Sequence, residues 1–288
     1  MISFINIFVN GLLLGGIYAI TAVGLSMQYG VARILNIAHG EFIMVGAFLT
    51  WMLHTSLGIN PLFCLALVGP ILFLLGYLVR HYLFKTLRER TPSPAAFEGN
   101  SMLMAFGLLF VIQSLAIFIW GKSIVGYSFM PYSVYLGEIR FAANRLVIMV
   151  AAVAICFLFY LFLTRTRTGK AIRAASQDSD AAALMGVDIN RMLTLCFALG
   201  ALMAGFAGVL VSMDVKLNAT MGMEYTIIAI IVIVLGGLGS IPGSLVGGFL
   251  LGIFGSIVSG IEPGLTLAAY YLLFMVLLLV KPSGIFGR

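Results

Sequence analysis

Apolar positions in this chain run together instead of alternating with polar ones. The runs fall at roughly 4–29, 36–57, 61–83, 101–120, 144–163, 192–213, 225–258 and 264–281. About twenty helical residues cross a 30 Å hydrocarbon layer, so most of these runs have the length of one membrane crossing. Lipid offers backbone N–H and C=O groups no partner, which leaves helices or a closed barrel. Barrel strands alternate apolar and polar positions and these runs do not, so the pattern predicts helices. The seventh run is too long for one crossing. Gly236-Gly237-Leu238-Gly239-Ser240-Ile241-Pro242-Gly243 interrupts it, and Pro and Gly both weaken a helical ladder there. The expected fold is an all-α polytopic membrane protein, a bundle of about 8–10 transmembrane or re-entrant helices forming a single domain over 1–288.

Composition agrees: 62% of residues are hydrophobic and 9% charged, too few charges to cover a water-facing surface. The net charge of +6 sits in a few short segments, which points to topology instead of nucleic acid. Arg80, Lys85, Arg88 and Arg90 fall in one predicted loop, and Arg165, Arg167, Lys170, Arg173 and Arg191 in another. The positive-inside rule makes both cytoplasmic, together with Lys281 and Arg288, and leaves 121–143 and 214–224 outside. By alternation the N-terminus is also outside. The first positive charge is Arg33, so the first run lacks the basic start of a cleaved signal and reads as a retained span. The outer loop carries Lys122, Glu138 and Arg140, with some alternation from Tyr127 to Tyr135 that suggests a small hairpin. Cys64, Cys156 and Cys196 lie within apolar runs without metal-ligand spacing.

Polar residues within apolar runs are costly and therefore informative. Asn36, His39 and Glu41 stand at the threshold of the second run; a charge at mid-bilayer costs about 2.5–3.5 kcal/mol on insertion scales. They fit either a translocation pathway or a structural network in which Glu41 caps a helix or pairs with Arg33. The interrupted seventh run adds Gly236, Gly237 and Gly239 as pathway candidates, since paired broken segments mark transporter pathways. Small residues recur at four-residue spacing, as in Gly11/Gly15, Gly200/Ala204/Gly208 and Gly248/Gly252/Ser256/Gly260, which lets helix backbones approach. Enzymatic motifs fail. Gly121-Lys122-Ser123 has Ala116 where a phosphate-binding loop needs glycine, Gly169-Lys170 is followed by Ala171, and HExxH and Gly-x-Ser-x-Gly do not occur.

The segment 165–188 is Ala-rich and helix-forming, with Ile172, Ala175, Ser179, Ala182 and Gly186 at three- and four-residue intervals. A single helix over 169–187 with a smooth small-residue face is suited to dock in a partner's groove, the alternative being an ordinary solvated connecting helix, which fits the run of alanines and Gly186 less well. Within it, Asp180-Ala181-Ala182-x-x-x-Gly186 resembles the Glu-Ala-Ala-x3-Gly signature of ABC importer permeases, with Asp for Glu. The core Asn36-Ile-Ala-His-Gly-Glu41, the stretch Gly236–Gly243 and the C-terminal Lys281-Pro-Ser-Gly-Ile-Phe-Gly287 resemble Liv-type branched-chain amino acid permease subunits. The downstream Ile-x-Leu-Pro of the longer importer signature is missing after Gly186, as in Liv-type proteins generally.

The resemblance implies an importer permease in a bacterial inner membrane that passes branched-chain or other apolar amino acids. It implies a coupling helix at 169–187, with Gly169, Lys170, Arg173, Asp180, Ala181, Ala182 and Gly186 against an ATPase. Expected partners are a homologous second permease, two cytoplasmic ATP-binding-cassette ATPases that use ATP and Mg, an extracytoplasmic binding protein, and lipid, with no nucleic acid. No cofactor is expected on this chain, and it is not expected to be an enzyme. Permeases for urea or short amides look similar, and a secondary transporter or channel would need no ATPase.

Overall fold

The computed structural model describes residues 2–136, 139–281 and 283–285. Glu138, Pro282, Phe286, Gly287 and Arg288, which entered the sequence reading, lie outside the described residues. The fold is an all-α membrane bundle with one small hairpin. Its helices are α1 (Ile2–Ala32), α2 (His39–Leu57), α3 (Pro61–Val79), α4 (Lys85–Arg90), α5 (Pro94–Trp120), α6 (Ala143–Arg165), α7 (Arg167–Gln177), α8 (Ser179–Leu184), α9 (Ile189–Ser212), α10 (Gly222–Gly236), α11 (Ile241–Ile261) and α12 (Thr266–Val280). Among the described residues, seven helices are long and apolar enough to cross a membrane. α2, with His39, Glu41 and His54, and the short α10 complete the set.

The long seventh run divides where the glycines and proline predict. α10 ends at Gly236, Gly237 and Gly239 take positive φ, and the Ser240 side chain accepts from Gly243 N–H to start α11. A left-handed backbone suits glycine, which has no Cβ to clash. Two expectations are corrected. The stretch with Arg80 and Lys85 is helical: α3 passes through a π-helical turn, Arg80–Phe84, directly into α4, and Arg80 is buried. The outer hairpin sits later than the alternation suggested, with β1 (Ser133–Leu136) antiparallel to β2 (Ile139–Ala142). Tyr127 instead turns inward, its hydroxyl 2.9 Å from Ser212 Oγ.

The spaced glycines hold the bundle together. α1 packs antiparallel along α11: a Cβ on Gly11 would stand 2.8 Å from Ile253 Cα, and one on Gly15 2.7 Å from Phe249 Cα. Gly248 and Gly252 press from the other side onto the backbone of Ala19 and Gly15. On another face of α1, Gly24 meets Gly200 of α9, and Gly46 of α2 meets Gly205. These contacts bury α1 and α9, whereas α5, α6 and α12 keep most of their surface for lipid.

The basic segments gather at one end, where α4, α7, α8 and the start of α9 lie; the hairpin and the α9–α10 connection occupy the other. Two outcomes follow. Cysteine at Glu89 should be shielded from an impermeant thiol reagent in intact cells while one at Ser128 is labelled; swapped labelling would reverse the orientation. Gly252→Leu should abolish accumulation of folded protein, because overpacking a backbone-to-backbone contact costs about 1–3 kcal/mol or more; normal amounts in membranes would contradict the glycine seam.

Candidate functional site

The chain between α1 and α2 does not leave the bundle. His39 lies beside Gly24, and its Nε2 donates to the Thr21 carbonyl at 3.0 Å. Ala32 ends α1 eight residues beyond Gly24, about 12 Å of helical rise. Residues 33–38 therefore run back up into the interior, starting from Arg33 at φ +53°. Asn36 helps by accepting from Ala38 N–H at 3.2 Å. α2 thus begins inside the protein, and so its first turn must find partners there.

The partner is the start of α10. Gly40 N–H donates to Thr226 Oγ at 2.8 Å, and that hydroxyl donates to the Ile37 carbonyl at 3.0 Å. The backbones touch at Gly40 and Gly222, where a Cβ on Gly40 would stand 2.6 Å from Thr226 Oγ. Glu41 lies against Gly222, with a Cβ there 2.5 Å from the Glu41 carboxyl carbon. Asn36, His39 and Glu41 are fully buried. Neither carboxylate oxygen of Glu41 has a hydrogen-bond partner, nor do His39 Nδ1 and Asn36 Nδ2. Glu41 is in the first turn of α2 and abuts the first turn of α10. Two helix N-termini favour a negative charge there without a direct bond. The expected capping bond and the Glu41–Arg33 ion pair are not formed; among the described residues the one side-chain ion pair is Arg145–Asp214.

The structure divides the six predicted pathway residues. Gly236, Gly237 and Gly239 lie at the basic end, where Gly239 meets Gly30 of α1. Gly284 packs on Gly237, and Ile285 N–H donates to the Leu235 carbonyl at 2.8 Å. The glycine break and the C-terminal motif thus form one backbone clasp around the end of α1, apart from Glu41.

The predicted helix over 169–187 is two helices. Asp178 is extended and caps α8, its side chain accepting from Asp180 and Ala181 N–H at 2.9 and 3.0 Å. Ile172, Ala175 and Ala182 point into the bundle, so the small-residue stripe faces this chain's own core, while Ser179 and Gly186 are exposed. Gly169 is buried under the Thr166 cap of α7. Lys170, Arg173, Asp180 and Ala181 are exposed. Gly186 has φ +84° and closes α8: its N–H donates to Ala183, and Val187 N–H reaches back to Ala182 at 3.1 Å. That paired bonding is a Schellman end, so glycine is required here by conformation. The closure leaves Leu184 90% and Met185 85% exposed. Sequence reasoning passed over both, though two large apolar residues before a terminating glycine were a readable signal.

At the opposite end, a cavity of about 290 Å³ is lined by Asn6, Asn10, Arg145, Asp214 and Ser259 among others. Arg145 Nε lies 3.4 Å from Asp214 Oδ1, and Nη1 donates to Asn10 Oδ1 at 3.1 Å. Arg145 stands in the first turn of α6, where a cation opposes the helix dipole; its side chain is about half exposed, whereas that of Asp214 is mostly buried. A second cavity of about 60 Å³ shares Leu14 and Asp214 with the first and adds Ile17, Val211, Val215 and Ile228. Glu224 and Tyr225 also line it. The first turn of α10 thus has this cavity on one side and Glu41 on the other.

Residues 7–281 match the family described as branched-chain amino acid transport system / permease component. The high-affinity branched-chain amino acid transport system permease protein BraD of Pseudomonas aeruginosa is 31% identical, over 97% of this chain and 94% of that protein. The LivH permease protein of Escherichia coli K12 is 30% identical, over 99% of this chain and 96% of its own. The fructose import permease protein FrcC of Rhizobium meliloti is 32% identical over a shorter stretch, 46% of this chain and 38% of that protein.

The buried cluster yields one expectation. Glu41→Gln keeps the shape and replaces a carboxyl that makes no hydrogen bond, so the protein should accumulate normally while substrate uptake falls by roughly tenfold or more. Loss of assembled protein would instead assign Glu41 to the structure alone. The chain, matched from residue 7 to 281, belongs to the branched-chain amino acid permease family and is a multi-pass membrane permease component.

Proposed function

We propose that this chain is the membrane subunit of an ATP-driven importer for branched-chain amino acids in a bacterial inner membrane. The reading is carried by the paired cavities around Asp214. A zwitterion with an aliphatic side chain needs a cation, an anion and an apolar wall close together. Arg145, Asp214 and the Leu14–Ile17–Val211 surface supply them. Arg145 Nη2 and Asp214 Oδ2 carry no hydrogen bond among the described residues, leaving one donor and one acceptor for a carboxylate and an ammonium group. An extracytoplasmic binding protein delivers the amino acid to this end, and a homologous permease completes the route. From the cavity the amino acid passes the first turn of α10 and reaches Glu41 when α2 and α10 separate. Gly40–Gly222, Gly24–Gly200 and Gly46–Gly205 are backbone contacts with no side chain to repack, so they suit small relative movements.

ATP and Mg are handled by two partner ATPases at the basic end. Leu184 and Met185 form the apolar knob that enters the ATPase groove, flanked by Lys170, Arg173 and Asp180. Ala181 is exposed on the same short helix, Ala182 is buried, Gly169 seats α7 on α6, and Gly186 closes the helix that carries the knob.

Leu184→Asp with Met185→Asp should release the ATPase on co-purification and stop uptake while the permease remains folded. Full coupling with both replaced would remove the knob from the contact. Gly186→Ala tests backbone conformation, since φ +84° strains any side chain there, and is not a docking probe. Arg145→Gln should raise the substrate concentration giving half-maximal leucine uptake about tenfold, with ATPase association unchanged. An unchanged half-saturation would place substrate reception elsewhere.

A further inference from the structure

Arg80 is the buried charge that neither the fold nor the transport reading uses. It begins the π-helical turn between α3 and α4 and is 2% exposed. Its Nε and Nη1 have no hydrogen-bond partner. A guanidinium removed from water without a counter-charge is among the costlier groups a protein can hold. A counter-anion is therefore expected, and this chain provides none within 4 Å among the described residues. Asp188, which lines the same cavity, caps α9 by accepting from Arg191 N–H at 3.0 Å. Arg88 and Glu89 on α4 act on Arg80 in opposite senses.

Arg80 lines a cavity of about 530 Å³ shared with Tyr77, His81, Lys85, Asp188 and Arg191. Three cations against one committed carboxylate leave the cavity positive. The turn itself is part of the construction. Lys85 N–H bonds back five residues to the Arg80 carbonyl, and this wider turn buries Arg80 and Phe84 together, with Phe84 against Phe197 at 5.1 Å. π-helical turns within α-helices often mark functional sites. Tyr77, which lines the cavity, is itself exposed on the outer surface of α3. His81 stacks parallel on Tyr77 at 5.9 Å and edge-on to Tyr82 at 5.0 Å, with Leu74 and Leu78 exposed nearby. Such aromatic clusters sit at headgroup level.

We propose that this cavity binds a phosphate-class anion, the headgroup of an anionic phospholipid, whose phosphate meets Arg80 while Lys85 and Arg191 hold its outer oxygens. Basic pockets between helices near the inner leaflet are suited to such headgroups. The site is independent of the amino acid route and stands beside the segment that leads to Leu184.

Native mass spectrometry of the purified full chain tests it. Wild type should retain phosphatidylglycerol about tenfold over phosphatidylcholine, and Lys85→Gln with Arg191→Gln, both exposed positions, should lose that preference. Arg80→Gln, a riskier substitution in the core, should lose it too. A second arm measures thermal unfolding in lipid-free micelles with inorganic phosphate against chloride at equal ionic strength. Stabilisation by phosphate, absent in the double variant and without any lipid preference, would keep the anion site and assign its ligand to solution. Equal retention of both lipids with no phosphate effect, or a lipid preference that survives the double variant, would overturn the proposal.

Discussion

Direct contact between helix backbones at glycine is the interaction on which the rest of this structure depends. In lipid, apolar side chains gain little by leaving one apolar medium for another, so helices associate through close packing. α1 carries that packing on several faces. Gly11 and Gly15 lie on α11, Gly24 on α9, and Gly30 on the loop at Gly239. A methyl group at most of these points would enter another helix's main chain. Because α1 is fixed in this way, the stretch 33–38 has only the interior to run through, and α2 begins where Thr21 and Gly24 of α1 receive His39.

The same constraint concentrates polar chemistry. A helix that begins inside the bundle, as α2 does, brings unpaired N–H groups with it, and those groups need acceptors. Thr226 serves both strands of the meeting by accepting from Gly40 and donating to Ile37. Glu41 is held against both helix starts and yet makes no hydrogen bond. The first turn of α10 then stands between this carboxylate and the cavity at Asp214, so a displacement of that turn would affect both. At the basic end the glycine break, the C-terminal motif and the end of α1 close on each other through backbone contacts.

Much of this was legible in the sequence. The apolar runs placed the helices, Gly236 to Gly243 divided the long one, and Asn36, His39 and Glu41 stood out because charge in an apolar run is costly. Spacing was least informative where it was read as helical without a break. The interval from Ile172 to Gly186 suggested one exposed stripe, but Asp178 caps a new helix and turns Ala182 inward. Gly186 was noticed for its size, whereas its left-handed φ is what requires glycine. Arg80 was counted with the loop charges because a π-helical turn has no sequence signature as plain as a proline's. Arg145 and Asp214 are 69 residues apart, and no periodicity links residues brought together only by tertiary packing.

The central claim is that these sites serve ATP-driven passage of aliphatic amino acids. Uptake of labelled leucine into vesicles containing this chain with its ATPase, second permease and binding protein tests it most directly. The account predicts uptake that requires ATP and is competed by isoleucine and valine but not by fructose or urea. Uptake down a gradient without ATP, or competition by fructose or urea and not by isoleucine, would contradict it.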